Sequence, residues 1–229
     1  VPGISSKHCE QLRDSYLETR SARRIITMLA PLDVNAGQAV RMQKELGIRA
    51  EELLKERPYE VFEQGLLSFE VADRLAERQG IPRTAPERVA AGLLHTLEVA
   101  EQKGHLCLHK EHFVRQAVEL LRTPGLNRIA VANEAFEMLK ADRLALYQSH
   151  VYRPIMVEAE NGTAQCVREM LQRGSLPYIG DLDDEIDQQQ EELGFVLAAE
   201  QRQAVKTALA SPLCIISGGP GTGKTSIQR

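Results

Sequence analysis

The chain has 229 residues, 43% apolar and 26% charged, with no Trp and only 4% aromatics. That is enough for one large or two ordinary domains packed on Leu, Ile, Val and Ala, and it excludes both a disordered segment and a mini-scaffold. The formal charge of −4 is unevenly spread: residues 174–229 carry eight acidic side chains against four basic ones (Arg202, Lys206, Lys224, Arg229), while 1–173 balance, so any polyanionic partner must be argued from local geometry.

No apolar run approaches the ~20 residues that cross a bilayer, and Val1-Pro2-Gly3 opens no signal pattern. A soluble, cytoplasmic chain with no membrane partner is expected. Cys9, Cys107, Cys166 and Cys214 are widely spaced without a C-x-x-C pair, which predicts reduced thiols rather than disulfides or cysteine-bound zinc.

Helical spacing of Cys9, Leu12, Tyr16, Ile25, Ile26 and Leu29 predicts one or two helices over about 6–30. Asn35 offers a cap for a helix over 36–46 that Gly47 closes. A helix over 50–57 stops at Pro58, which fits the first turn of the next piece, 58–64, ended by Gly65. Ser68 can cap a helix with the apolar stripe Phe69, Ala72, Leu75, Ala76, ending at Gly80. Thr84-Ala85-Pro86-Glu87 reads as a capping box opening a long helix to Gly104. The alternation His105 to His109 predicts a strand, followed by amphipathic helices over 110–122 and 127–142 separated by Thr123-Pro124-Gly125. Leu144–Tyr147 and Arg153–Val157 are predicted strands, so the order over about 86–157 is that of a winged helix. Residues 158–173 are predicted helical. The acidic, Gln-rich run from Gly180 to Gln190 reads as a solvated linker.

The most specific chemistry lies near the end. The apolar strand predicted over Leu213–Ile216 runs into Gly218-Gly219-Pro220-Gly221-Thr222-Gly223-Lys224-Thr225, a full G-x-x-x-x-G-K-[ST] match. Glycines let such a loop turn its backbone N–H groups around a phosphate. Lys224 supplies a point charge to the outer phosphates, Thr225 a hydroxyl to Mg2+, and a helix starting there aims its positive end at the anion. Upstream, Gln201 sits one short helix before the loop. Its carboxamide presents the donor and acceptor that read the N6/N7 edge of adenine.

Glu200-Gln201-x-x-Ala204-Val205, an apolar strand and Gly-Gly-Pro-Gly-Thr-Gly-Lys-Thr together resemble the start of the motor of superfamily 1 DNA helicases, in their RecD-like branch. Longer members of that family place helix-hairpin-helix units before the motor. Val1–Lys7 is similar to one such hairpin, with Gly3, Ser5 and Lys7 as the implied DNA contacts and Arg13, Arg20, Arg23 and Arg24 against Glu10, Asp14 and Glu18 nearby. Gly65–Ala76 is similar to a second, although Leu66 stands where the pattern has glycine and Ser68 replaces another; that unit is expected to pack helices together. The likeness extends through Pro86–Leu94 and Gly104-His105.

The resemblance implies ATP and Mg2+ as cofactors, DNA (single-stranded and forked) and further proteins as partners, 5′ to 3′ movement, and work in recombination or repair. Only Ser226–Arg229 follow the loop, so the chain is expected to be a fragment that neither hydrolyses ATP nor unwinds DNA. The expected fold is mainly α: a helix-hairpin-helix region over 1–82, a winged-helix-like region over 83–173, an acidic linker over 174–193, and over 194–229 the truncated start of a P-loop RecA-like α/β domain. Two alternatives stay open, a non-catalytic DNA-binding or partner-docking module and an AAA-type P-loop ATPase. His105, Cys107, His109 and His112 could place three zinc ligands on one strand face, but their spacing is not that of structural zinc, and Leu106 and Leu108 already explain the alternation.

Overall fold

The structure is a computed structural model that describes residues 6–174 and 180–228; the side chains of 6–12, 14, 15, 17, 18 and 228 lie outside the description. The chain is mainly helical, as expected, and divides into two compact units, 1–157 and 158–229.

The first unit begins with α1 (Ser6–Leu29), α2 (Ala36–Leu46), α3 (Ala50–Glu56), α4 (Pro58–Glu63) and α5 (Phe69–Arg78). Local chemistry sets these boundaries. Asn35 accepts the Gln38 N–H at 2.9 Å and Ser68 the Val71 N–H at 3.4 Å, each satisfying a donor in the first turn of its helix. Pro58 occupies the first turn of α4, where its missing N–H costs nothing. Ile25, Leu29, Met42 and Leu54 are fully buried in a core that joins α1 to α2 and α3.

A second core joins α4 and α5 to the rest of the unit: α6 (Pro86–Gln102), β1 (Leu108–His109), α7 (Lys110–Leu121), α8 (Arg128–Lys140), β2 (Ala145–Tyr147) and β3 (His150–Tyr152). Phe113, Leu93, Leu97, Val131 and Met138 fill it. The sheet is antiparallel in the order β1-β3-β2, with Leu108 opposite Val151 and Leu146 opposite Val151 on its other side. Element order and pairing are those of a winged helix.

Three local expectations are corrected. α6 starts at Pro86, so its cap position is Ala85 and Thr84 lies one residue too early to close a capping box. The first strand is confined to Leu108–His109. Arg153–Val157 is not a strand: β3 ends at Tyr152, and Pro154, with its fixed φ, opens α9 (Pro154–Arg173).

The boundary between the units falls inside α9. The second unit continues with α10 (Leu182–Leu193) and α11 (Ala199–Ala210). The acidic run is therefore helical rather than a structureless connection. Asp181 accepts the Asp183 N–H at 2.9 Å, and the carboxylates of Asp183 and Asp187 are engaged by α11: Arg202 Nε reaches Asp183 Oδ1 at 2.9 Å, Lys206 Nζ reaches Asp183 Oδ2 at 2.6 Å, and Arg202 also pairs with Asp187. Among the described residues no helix is long and apolar enough to cross a membrane.

Candidate phosphate-binding site

The Gly-rich loop follows α11 after the seven residues 211–217. Ile186, Leu193, Val205, Leu209 and Ile227 line one apolar hollow in the second unit, so side chains of α10, α11 and the turn after the loop face the same space. The residues expected to form a strand before the loop, Leu213–Ile216, belong to no ladder among the described residues, and Ile215 is 86% exposed. A strand is defined by its hydrogen-bonded neighbour, and no described segment supplies one. The expected helix after Thr225 is a single 3-10 turn, Ser226–Gln228, begun by Ser226 N–H donating to Gly223 O at 2.9 Å.

The loop is curled. Lys224 Nζ donates to the carbonyls of Gly218 and Gly219, each at 2.6 Å, and Thr222 Oγ1 donates to Gly219 O at 2.9 Å. The ammonium thus bridges back across the loop to residues five and six positions earlier. Gly221 and Gly223 have φ of +77° and +76°, conformations in which a side chain is strained. A Cβ on Gly218 would lie 2.9 Å from Thr222 Oγ1, and one on Gly223 would lie 2.6 Å from Gln201 Nε2. A side chain would thus be strained at Gly221 and Gly223, and at Gly218 it would force Thr222 to shift. The N–H groups of Gly221, Thr222, Gly223, Lys224 and Thr225 have no acceptor among the described residues. Free amides beside one ammonium and one hydroxyl form the donor set that fits a phosphate tail with its Mg2+.

Gln201 is brought to this loop. Its Oε1 accepts the Ala198 N–H at 2.9 Å and its Nε2 donates to Thr222 O at 3.0 Å, which locks the carboxamide plane against the loop. An amide has two lone pairs and two N–H bonds, so one acceptor site and one donor site remain. The structure therefore assembles Gln201, the glycines and Lys224 in one place within the second unit.

Gly3 and Ser5 lie outside the described residues, as does the side chain of Lys7. At the second hairpin, Gly65 N–H donates to Phe62 O at 2.8 Å and Leu66 N–H to Val61 O at 3.2 Å. Leu66 and Leu67 are 5% and 7% exposed. These amides and side chains serve packing. The His109 ring lies edge-on to His112 and His150, with centroids 6.0 and 5.6 Å away. Among the described residues no group of three His, Cys, Asp or Glu is placed to hold a metal ion.

α8 exposes apolar side chains alongside its charged ones, Arg128, Glu137 and Lys140. Ile129 and Phe136 on α8 are 71% and 56% exposed and line a groove with Leu146 of β2. Sequence reasoning also missed the buried Arg88, whose partner Asp73 lies on a different helix.

Residues 18–107 match the family described as the ATP-dependent RecD2 DNA helicase HHH domain, and residues 201–229 match the family described as an AAA domain. The chain is 27% identical over 240 residues to an ATP-dependent RecD2 DNA helicase of Deinococcus radiodurans, an alignment that covers 100% of this chain and 33% of the relative. The chain thus spans about a third of the length of that relative. Its resemblance to the N-terminal region of RecD-like helicases is borne out, helix-hairpin-helix region included.

Proposed function

We propose that residues 1–229 form the N-terminal region and the opening of the motor of an ATP-dependent DNA helicase of the RecD-like kind. The parent protein acts in the cytoplasm on single-stranded and forked DNA, moves 5′ to 3′, and serves recombination or repair with further protein partners. The observation that carries this reading is the curled Gly218–Thr225 loop with its free amides, joined through Thr222 to Gln201. It is supported by the likeness, over the whole chain, to a protein described as a RecD2 helicase.

The roles of the residues follow from their chemistry. Lys224 exchanges the two glycine carbonyls for phosphate oxygens, a gain because an ammonium binds an anion more strongly than a carbonyl dipole. The loop amides would fix the position of a bound phosphate tail, and the Thr225 hydroxyl would hold its cation. Bound ATP with Mg2+ supplies the phosphoryl group whose transfer to water drives the parent motor. Transfer also needs a placed water and charge stabilisation across the γ-phosphate. Among the described residues, no carboxylate pairs with Lys224 or Thr225. The 229-residue polypeptide is therefore proposed to bind nucleotide without turning it over.

A fluorescent ATP analogue with Mg2+ tests the reading. Saturable binding, weakened about tenfold or more by Lys224→Ala, is expected. Absence of binding, or binding indifferent to Lys224→Ala, would overturn it. Phosphate release with and without single-stranded DNA tests the inactivity of the polypeptide, and turnover abolished by Lys224→Ala would refute it.

A further inference from the structure

If the α4–α5 hairpin uses its amides for packing, a nucleic-acid contact in the first unit has to come from side chains. α1 carries a suitable set. Arg20, Arg23, Arg24 and Thr27 follow the i, i+3, i+4, i+7 spacing that places residues on one helical stripe, and Tyr16 extends the stripe by a turn. Ile25 and Leu29, on another face, are fully buried, which turns the Arg stripe outward. Tyr16 is 64% exposed, and Arg20, Arg23 and Arg24 are exposed. On the neighbouring α3, Lys55 joins the patch: Glu51 accepts from Lys55 Nζ at 2.7 Å and from Arg24 Nη1 at 3.3 Å. Arg20, Arg23, Arg24 and Lys55 therefore line one surface hollow with a single carboxylate, in a chain whose first 173 residues are neutral overall. An exposed ion pair of this sort is worth little and yields readily to a polyanion.

We infer that the outward face of α1, with Lys55 beside it, is a binding track for single-stranded nucleic acid. Arg20, Arg23, Arg24 and Lys55 contact phosphates, and the Tyr16 ring stacks on an unpaired base. The inference rests on the helicase reading proposed above and gives its nucleic acid a second place to bind, apart from the motor. The combination of cations and an open aromatic ring selects a single strand, because duplex bases are already stacked on one another. Stacking on one face of a helix needs no sequence readout, as a processive motor requires.

The test is fluorescence anisotropy of a labelled mixed-sequence DNA strand titrated with the full 229-residue chain over a range of salt, with a duplex of the same sequence in parallel. The charge-reversed R20E/R23E/R24E chain should bind the strand at least tenfold more weakly at low salt, with the slope of log affinity against log salt smaller by about 2. The milder R20Q/R23Q/R24Q chain, with a circular-dichroism melt matching the parent, should move the same way and rules out misfolding as the cause. Tyr16→Ala should weaken the strand about tenfold and leave the duplex unchanged. Unchanged strand binding in the triple variants, no strand binding by the intact chain, or equal effects of Tyr16→Ala on strand and duplex would each overturn the inference. Strand binding that needs Arg20, Arg23 and Arg24 in a chain that binds no ATP analogue would uphold this track and overturn the motor reading, so the two fail separately.

Discussion

Arg88 grips both oxygens of the Asp73 carboxylate, Nε to Oδ1 at 2.6 Å and Nη2 to Oδ2 at 2.9 Å. The guanidinium also donates to Thr123 Oγ1 at 2.7 Å and to the carbonyls of Arg83 and Leu121 at 3.1 and 3.3 Å, while Tyr59 Oη donates to Asp73 Oδ1 at 2.6 Å. One buried side chain thus ties α5 and α6 to the end of α7, and Tyr59 brings α4 to the same carboxylate. Removing one member of a buried, hydrogen-bonded charge pair costs about 3–5 kcal/mol, and the lower end applies here because Asp73, the partner left behind, is 30% exposed. Arg88→Met is expected to lower the unfolding free energy by about 3 kcal/mol, read from urea denaturation by circular dichroism. A loss under about 1 kcal/mol would show that water replaces the guanidinium at little cost.

The same pair makes stability depend on pH. Burial alone would raise the Asp73 carboxyl, but hydrogen bonds from Arg88 and Tyr59 and the guanidinium charge outweigh it, and the group titrates below its ordinary 3.8. A carboxyl depressed in the folded state stabilises above its unfolded pKa, and that contribution disappears as pH falls through the folded value. Unfolding free energy should therefore hold between about pH 7 and 5 and fall below about pH 4. Asp73→Asn should flatten that fall. Part of the slope will remain, because a hydrogen bond from Lys55 holds Glu51 low as well, with Arg24 adding to it. An identical slope in Asp73→Asn would remove the pair from the account.

Gly92 lies where α6 crosses α7. A Cβ there would be 2.5 Å from Leu121 Cδ2 and 2.9 Å from its Cγ, and Leu121 is only 2% exposed. Replacing a mid-helix glycine by alanine gains about 1 kcal/mol of helix propensity, whereas overpacking a filled core costs about 1–3 kcal/mol. Packing wins here because the clash reaches the branch carbon, which cannot swing aside without moving its neighbours. Gly92→Ala should lower the Tm by a few degrees. A raised Tm would mean that Leu121 has room to rotate.

What could be read from the sequence was what the chain settles within a few residues. Asn35 and Ser68 cap helices through a bond to the N–H three positions on, and the phosphate loop is dictated by glycines that its own backbone needs. The errors arose where two local signals compete. Ile155-Met156-Val157 carries strand-like apolar residues, but Pro154 starts a helix ahead of them, and a cap displaced by one residue defeats the Thr84 box. Arg88 and Asp73 were invisible for another reason. They are fifteen positions apart on different helices, so only the packing of α5 against α6 makes them partners. The outward stripe of α1 lay between these cases: its arginines were evident, but only the burial of Ile25 and Leu29 showed which way they face.

Gln201 offers the sharpest test of the proposed nucleotide site. Its bonds to Ala198 N–H and Thr222 O fix the carboxamide in a plane and leave one lone pair and one N–H free, the complement of the N6/N7 edge of adenine. A bidentate pair of this kind discriminates by about 1–3 kcal/mol, or roughly 5- to 150-fold. Gln201→Glu keeps the acceptor for Ala198 but removes both donors, so it loses the bond to Thr222 and any adenine contact together. Gln201→Ala removes both functions without adding charge. Both variants should narrow the preference for ATP over GTP analogues, with Gln201→Glu also weakening both nucleotides through repulsion of the phosphates. Equal losses for ATP and GTP in Gln201→Ala would instead assign the residue a purely structural task, clamping the loop through Thr222.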